Sequence, residues 1–245
     1  MAGHSAWKNI KRRKAAVDAK RGKIWSKVSR AIIVAAQRGG GDPKFNATLR
    51  LAVDEAKAAN MPRDTIEKAI KKGTGEGSTE RFENVRYEGY GPGGVAILID
   101  LLISNSNRTA AEIRTIMDKN GGKIGVPGSV AFGFTQQGVL LLPKSSVDEE
   151  QVMEVALGSD AEDVKSDDDF VQVTCKPADF EKVRSGLEAA KLPIENAEIS
   201  WQPQSTVSLD ADSARKLLQL VDALEDHDDV QKVYHNADLP EEAFE

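Results

Sequence analysis

Cysteine is nearly missing from this chain: Cys175 is the only one in 245 residues. A single thiol excludes an internal disulfide framework and fits a reducing cytoplasm. Histidine is almost as scarce. His4, His227 and His235 share no ligand spacing with one another or with Cys175, so they offer no metal site. Long apolar runs are lacking too. The most apolar stretch, Val95 to Ile103, is too short to span a bilayer and contains Asp100. No secretory segment follows Met1, because charge begins at Lys8. No membrane partner is expected. Catalytic signatures are equally thin. There is no Lys-Ser/Thr of a P-loop, no kinase catalytic loop, and no carboxylate pair with a reason to be buried together. Cys175 lies in an alternating stretch and reads as a small core residue. The expectation is a protein that is not an enzyme and uses no small-molecule cofactor.

Acidic residues are scarce at one end only. Between Lys8 and Arg30, ten cations face one carboxylate, Asp18. They are Lys8, Lys11, Arg12, Arg13, Lys14, Lys20, Arg21, Lys23, Lys27 and Arg30. Residues 1–80 hold 18 Lys+Arg and 8 Asp+Glu, a net of +10; residues 81–245 hold 15 and 31, a net of −16, and the whole chain carries −6. Such asymmetry suggests a polyanion held at one end. Taken as a helix at roughly 100° per residue, Lys20 to Ala36 puts Lys20, Lys23, Lys27 and Arg30 within a sector of about 80°. Ile24, Trp25, Val28, Ala31, Ile32 and Ala35 fall on another side. The apolar stripe is expected to pack on neighbouring helices and the basic stripe to look outward. An anion laid along it would relieve the like-charge repulsion. A solvated basic face with no partner is the plain alternative.

Gly39-Gly40-Gly41-Asp42-Pro43 stops this helix, and a second is expected from Phe45 to Ala59. Asn60-Met61-Pro62 breaks the pattern. A third helix runs from Pro62 to Gly73 and shows Arg63, Lys68, Lys71 and Lys72. Its polar face is rich in Lys rather than Arg, Asn or Gln, so a helical bundle fits better than a base-reading helix-turn-helix. Gly73 to Glu80 is a linker by composition. Strands are then expected at Val85 to Tyr90, Val95 to Ile103 and Ser129 to Phe134. A helix starts at the capping box Thr109-Ala110-Ala111-Glu112 and ends at Gly121.

From Gly138 the pattern reads strand (Val139 to Leu142), helix (Val147 to Leu157), hairpin (Ala161 to Val164 and Phe170 to Cys175), helix (Ala178 to Ala190) and strand (Ala197 to Trp201). This is the ferredoxin-like β-α-β-β-α-β order. Thr206 to Leu209, Ala211 to Leu224 and Gln231 to His235 add a β-α-β that completes the unit begun at Val85. Glu225 to Asp229 reads as a solvated helix end. The fold class is α+β. An all-helical domain (residues 1–79) precedes two α/β domains, one split (80–136 plus 205–245) and one ferredoxin-like and inserted in it (137–204).

Gly89-Tyr90-Gly91-Pro92-Gly93-Gly94 matches G-x-G-x-x-G by letter. The dinucleotide motif needs a helix after it; here a strand follows, so the segment reads as a tight glycine turn. A middle reading groups Gly91, Gly93 and Gly94 with Asn107 and Arg108, as a loop where backbone approaches a ligand or RNA closely.

Several long motifs in order resemble the YebC/PmpR family: GHSAWKNIKRRKAAVDAKRGKIW, GGGDP, NMPRDTIEKAIKKG, YEGYGPGG, NRTAAEIRTIMDKNGGK and VYHNADLPEE. The resemblance covers essentially the whole chain. It departs at Val126-Pro127-Gly128-Ser129, where members often carry an acidic residue and asparagine before Gly-Ser. It implies a three-domain α/β protein of the bacterial cytoplasm without known catalysis. Members are described as DNA-binding transcriptional regulators, while mitochondrial relatives look like translational activators and some bacterial members resemble ribosome-associated factors. The partner implied is nucleic acid, either DNA or ribosomal RNA, with contact mapped onto Lys8 to Arg30. A protein-interaction scaffold is a further alternative.

Overall fold

Glycine and proline set the boundaries of the first elements, as the computed structural model, which describes residues 21–75 and 82–243, makes plain. Helix α1 (Arg21–Gly39) ends at Gly40, whose φ of +84° no ordinary side chain tolerates well. Helix α2 (Ala47–Ala58) starts two residues later than expected. Asn46 caps it, with an extended backbone and a side chain that accepts from Leu49 N–H at 3.0 Å. That cap leaves Phe45 in the preceding turn. Helix α3 (Arg63–Gly73) follows Pro62. The three pack through Val28, Ile32, Ile33, Leu49, Val53, Ala56, Ile66 and Ala69.

Strands β1 (Glu83–Tyr90) and β2 (Ala96–Ile103) form an antiparallel hairpin, with the glycine segment as its turn. Helix α4 (Ser106–Lys119) begins three residues before the expected Thr109, because Asn105 rather than Thr109 is the cap; its side chain accepts from Arg108 N–H at 3.1 Å. Strand β3 (Lys123–Ile124) is only two residues long and pairs with Gly89 and Tyr90. The expected strand at Ser129 to Phe134 does not form. The carboxylate of buried Glu88 instead gathers the N–H groups of Gly128, Val130 and Ala131 at 2.6–2.8 Å, which bends that segment into a loop.

Residues 132–206 form a separate compact unit. It contains β4 (Phe134–Pro143), α5 (Glu149–Gly158), β5 (Asp163–Ser166), β6 (Phe170–Cys175), α6 (Phe180–Ala189) and β7 (Asn196–Pro203). Its sheet order, β5-β6-β4-β7 with antiparallel neighbours, is the ferredoxin-like arrangement. Cys175 is fully buried in it.

Beyond it come β8 (Val207–Ser208), α7 (Ala211–Glu225), β9 (Val230–His235) and β10 (Ala237–Asp238). Strand β9 joins β2, giving the order β3-β1-β2-β9, while β8 and β10 pair with each other. Ile97, Ile99 and Leu101 of β2 share a core with Ile113 and Met117 of α4 and Leu217, Leu220 and Leu224 of α7. Among the described residues, this core draws nothing from before Val85, and the helical core draws nothing after Ile70. The helical layer and the split sheet therefore keep separate apolar cores. Among the described residues, no helix is long and apolar enough to cross a membrane.

Candidate nucleic-acid interface

Lys23, Lys27 and Arg30 lie on one face of α1, as their i, i+4, i+7 spacing dictates. That face is not left without partners, although Lys23 at its edge stays half exposed. It meets the end of α7, where helix geometry leaves backbone carbonyls without partners and concentrates partial negative charge. Lys27 Nζ donates to the Glu225 carbonyl. Lys23 Nζ donates to the Asp226 carbonyl at 3.4 Å and stands 3.8 Å from its carboxylate. Arg30 donates to the Asp228 carbonyl at 2.7 Å and to Asp229 Oδ1 at 2.9 Å, and its guanidinium lies over the Phe82 ring at 5.9 Å.

Asp229 is the centre of this clasp. It is 2% exposed. Besides Arg30, its carboxylate accepts from Thr109 Oγ1 at 2.7 Å and Arg108 Nη2 at 3.2 Å. Burial alone would raise its pKa; the hydrogen bonds from Thr109 and Arg108 and the Arg30 charge outweigh that and hold it below the usual carboxylate value. His227 Nδ1 accepts from Asp229 N–H at 3.1 Å, and Nε2 faces Glu112 Oε2 at 2.9 Å, so the neutral tautomer carries its proton on Nε2. Burial lowers the Lys27 ammonium to about 8 against the opposing charges of Glu225, Asp226 and Asp228.

Two expectations are corrected here. The basic stripe of α1 is expected to look outward and stay free, yet Lys23, Lys27 and Arg30 are engaged by the residues after α7, Lys27 and Arg30 largely covered and Lys23 half exposed. Glu225 to Asp229 is expected to be solvated, yet it supplies their partners. A signal for this is present in the sequence. Ala31 to Ala36 is an unbroken apolar run in which Ile33 and Val34 are buried too, so this half of α1 packs on more than one side. Lys8, Lys11, Arg12, Arg13, Lys14 and Lys20 lie outside the described residues, and so does the side chain of Arg21.

The expected ligand-approach group is also not brought together. Gly91, Gly93 and Gly94 turn at one end of β2, whereas Asn107 and Arg108 follow its other end, roughly 24 Å away along an eight-residue strand. Gly91 packs its Cα against Ile97 and Leu217, and Gly93, at φ +74°, sits on Leu209. Arg108 serves Asp229.

Other cations of the helical layer do face solvent. Lys44, Lys68 and Lys71 are exposed and make no ion pair with any described residue. Lys44 stands in the 39–46 loop, and Lys68 and Lys71 lie one turn apart on the polar face of α3. A Cβ on Gly41 would meet Thr74 and Ile70, and one on Gly73 would meet Ala36 and the Ile33 carbonyl, so the ends of α1 and α3 sit directly against the 39–46 loop. Lys71 lies in the last turn of α3, where it also offsets the helix dipole; Lys44 and Lys68 have no such role.

A mixed α/β architecture with an N-terminal helical layer that carries exposed cations defines the class. Two family profiles match the chain: the TACO1/YebC N-terminal domain over residues 5–76 and the TACO1/YebC second and third domains over residues 82–237. The chain belongs to the TACO1/YebC family. It is 54% identical, over all of this chain and 98% of the relative, to a probable transcriptional regulatory protein of Rubrobacter xylanophilus. It is 52% identical, over the full length of both, to one of Coxiella burnetii. A crystal structure of a conserved hypothetical protein from Aquifex aeolicus superposes with a TM-score of 0.82 at 45% identity, covering 92% of this chain and 93% of that one.

Proposed function

We propose that this chain is a nucleic-acid-binding regulator of gene expression, not an enzyme, acting in the cytoplasm. It grips phosphates with the arm residues Lys8, Lys11, Arg12, Arg13, Lys14, Lys20 and Arg21 and with exposed Lys44, Lys68 and Lys71. The observation that carries this reading is the placement of charge. The first 80 residues have a net of +10, and Lys44, Lys68 and Lys71 stand in solvent without carboxylate partners among the described residues, while Lys23, Lys27 and Arg30 are consumed by the fold. The regulatory names of the relatives support it, and a DNA-binding transcriptional regulator is the primary form.

A second reading, an rRNA-associated translation factor, is favoured by the chemistry of α3. Its exposed cations are mostly lysines, which act as point charges on phosphate and carry no bidentate base readout. Such contacts position a protein and leave specificity to shape. The test is binding of the purified protein to duplex promoter fragments, random duplex and ribosomes at physiological salt. Duplex specificity without ribosome association supports the transcriptional form, and the opposite pattern supports the translational one. Absence of binding to all three contradicts both.

A further inference from the structure

We propose that Phe45 is a stacking platform for an unpaired nucleotide base, with Lys44 taking a flanking phosphate. The proposal rests on the nucleic-acid reading above and names what part of the nucleic acid this turn of the helical layer receives. Phe45 is 88% exposed, the most exposed large apolar side chain among those described. Its backbone, in contrast, is fixed. Phe45 N–H donates to the Asp42 carbonyl at 3.1 Å, and Lys44 N–H donates to Asp42 Oδ1 at 2.9 Å. Next to it, buried Asn46 donates from Nδ2 to the carbonyls of Ala35 at 2.8 Å and Gly40 at 2.9 Å while capping α2. The ring therefore projects from a turn whose own hydrogen bonds hold its shape, which lowers the entropy lost when a ligand binds.

The surroundings select the ligand. Among the described residues of the helical layer, Phe45 is the one exposed large apolar side chain, so the layer itself offers no apolar patch of the kind that docks proteins. Its neighbour in the same turn is Lys44, and the turn's own Gly41 meets Ile70 and Thr74 at the end of α3. Gly40 leaves open space, since a Cβ there would meet nothing within 4 Å. An exposed ring beside an ammonium group without a carboxylate partner among the described residues, with open space at Gly40, suits a base with its phosphate. Aromatic rings and nucleobases stack without regard to sequence, and only an unpaired base offers both faces.

The full-length protein is titrated with fluorescent single-stranded RNA, single-stranded DNA and duplex DNA of one sequence, each carrying 2-aminopurine. Phe45→Ala and Phe45→Leu are expected to weaken single-strand binding by about tenfold and to abolish 2-aminopurine quenching. Phe45→Tyr keeps both, and duplex affinity is unchanged. Because the side chain is exposed, all three variants should unfold at the wild-type temperature. If Phe45→Leu binds single strands like the wild type, stacking is not the interaction and the proposal fails while nucleic-acid binding stands. If wild-type protein binds none of the three, the functional reading itself fails. The RNA and DNA arms tell which strand supplies the base.

Discussion

Asp229 ties three side chains together through one buried carboxylate. It is buried, ionised and shared by Arg30, Arg108 and Thr109, so truncating it takes a carboxylate partner from two guanidinium groups and a hydroxyl at once. Asp229→Ala is expected to cost about 3 kcal/mol in denaturant unfolding. Lys23→Met, removing a half-exposed partner of Asp226, is expected to cost under about 1 kcal/mol. The acid limb follows from the same group. Its folded pKa lies below the unfolded value, so its contribution is complete above the unfolded value and is lost as pH falls through the folded one. An Asp229→Asn variant should therefore show a shallower loss of stability below about pH 4. Lys27 works in the opposite direction. It releases its proton near pH 8 when folded, against 10.5 unfolded, so between those values the unfolded chain binds more protons and folding strengthens as pH rises. Thermal unfolding should show wild type gaining on Lys27→Met between about pH 8 and 10, and equal slopes for the two would contradict the burial of this ammonium. Cys175 is buried and its thiol is pushed up to about 11, chiefly by burial, so a thiol reagent at about pH 8 should label it only as fast as the 132–206 unit opens.

At the scale of elements, the sequence reads best where a pattern is long and its ends are chemically marked. The order from β4 to β7 is legible because alternation and turn residues agree from one strand to the next. Helices α1 to α3 are legible because glycine, asparagine and proline punctuate them. What escapes has short or distant causes. Strand β3 is two residues long and exists only because β1 offers Gly89 and Tyr90 as partners. The 125–131 loop is bent by Glu88, some forty positions away, which no local propensity announces. Helix α2 starts two residues past the expected Phe45 because the Asn46 cap outranks the apolar character of that ring. Asn46→Ala is accordingly expected to cost about 2 kcal/mol in thermal or denaturant unfolding, one part for the cap and the rest for the carbonyls of Ala35 and Gly40 left unpaired. The basic face of α1 shows the limit most clearly. Periodicity locates Lys23, Lys27 and Arg30 correctly on one side. It has no means to show that the acidic turn after α7, some two hundred residues on, covers that side.

For the whole molecule, the lopsided charge has two consequences rather than one. Part of it is internal: two separate apolar cores are joined where cations of α1 meet the carbonyls and carboxylates at the end of α7. Charge reversal at Lys23, Lys27 or Arg30 would thus disturb the fold and cannot report on function. The remainder, the arm and the exposed lysines of the helical layer, is what binds phosphate in the proposed function. The most direct measurement is the slope of log K against log salt for nucleic-acid binding, compared between wild type and a variant with Lys8, Lys11, Arg12, Arg13 and Lys14 changed to Gln. Every phosphate that the variant no longer neutralises should make the slope shallower by roughly 0.7 to 0.9. A basic arm that grips phosphate predicts a slope shallower by several such steps with the unfolding temperature preserved; an unchanged slope and affinity would contradict it.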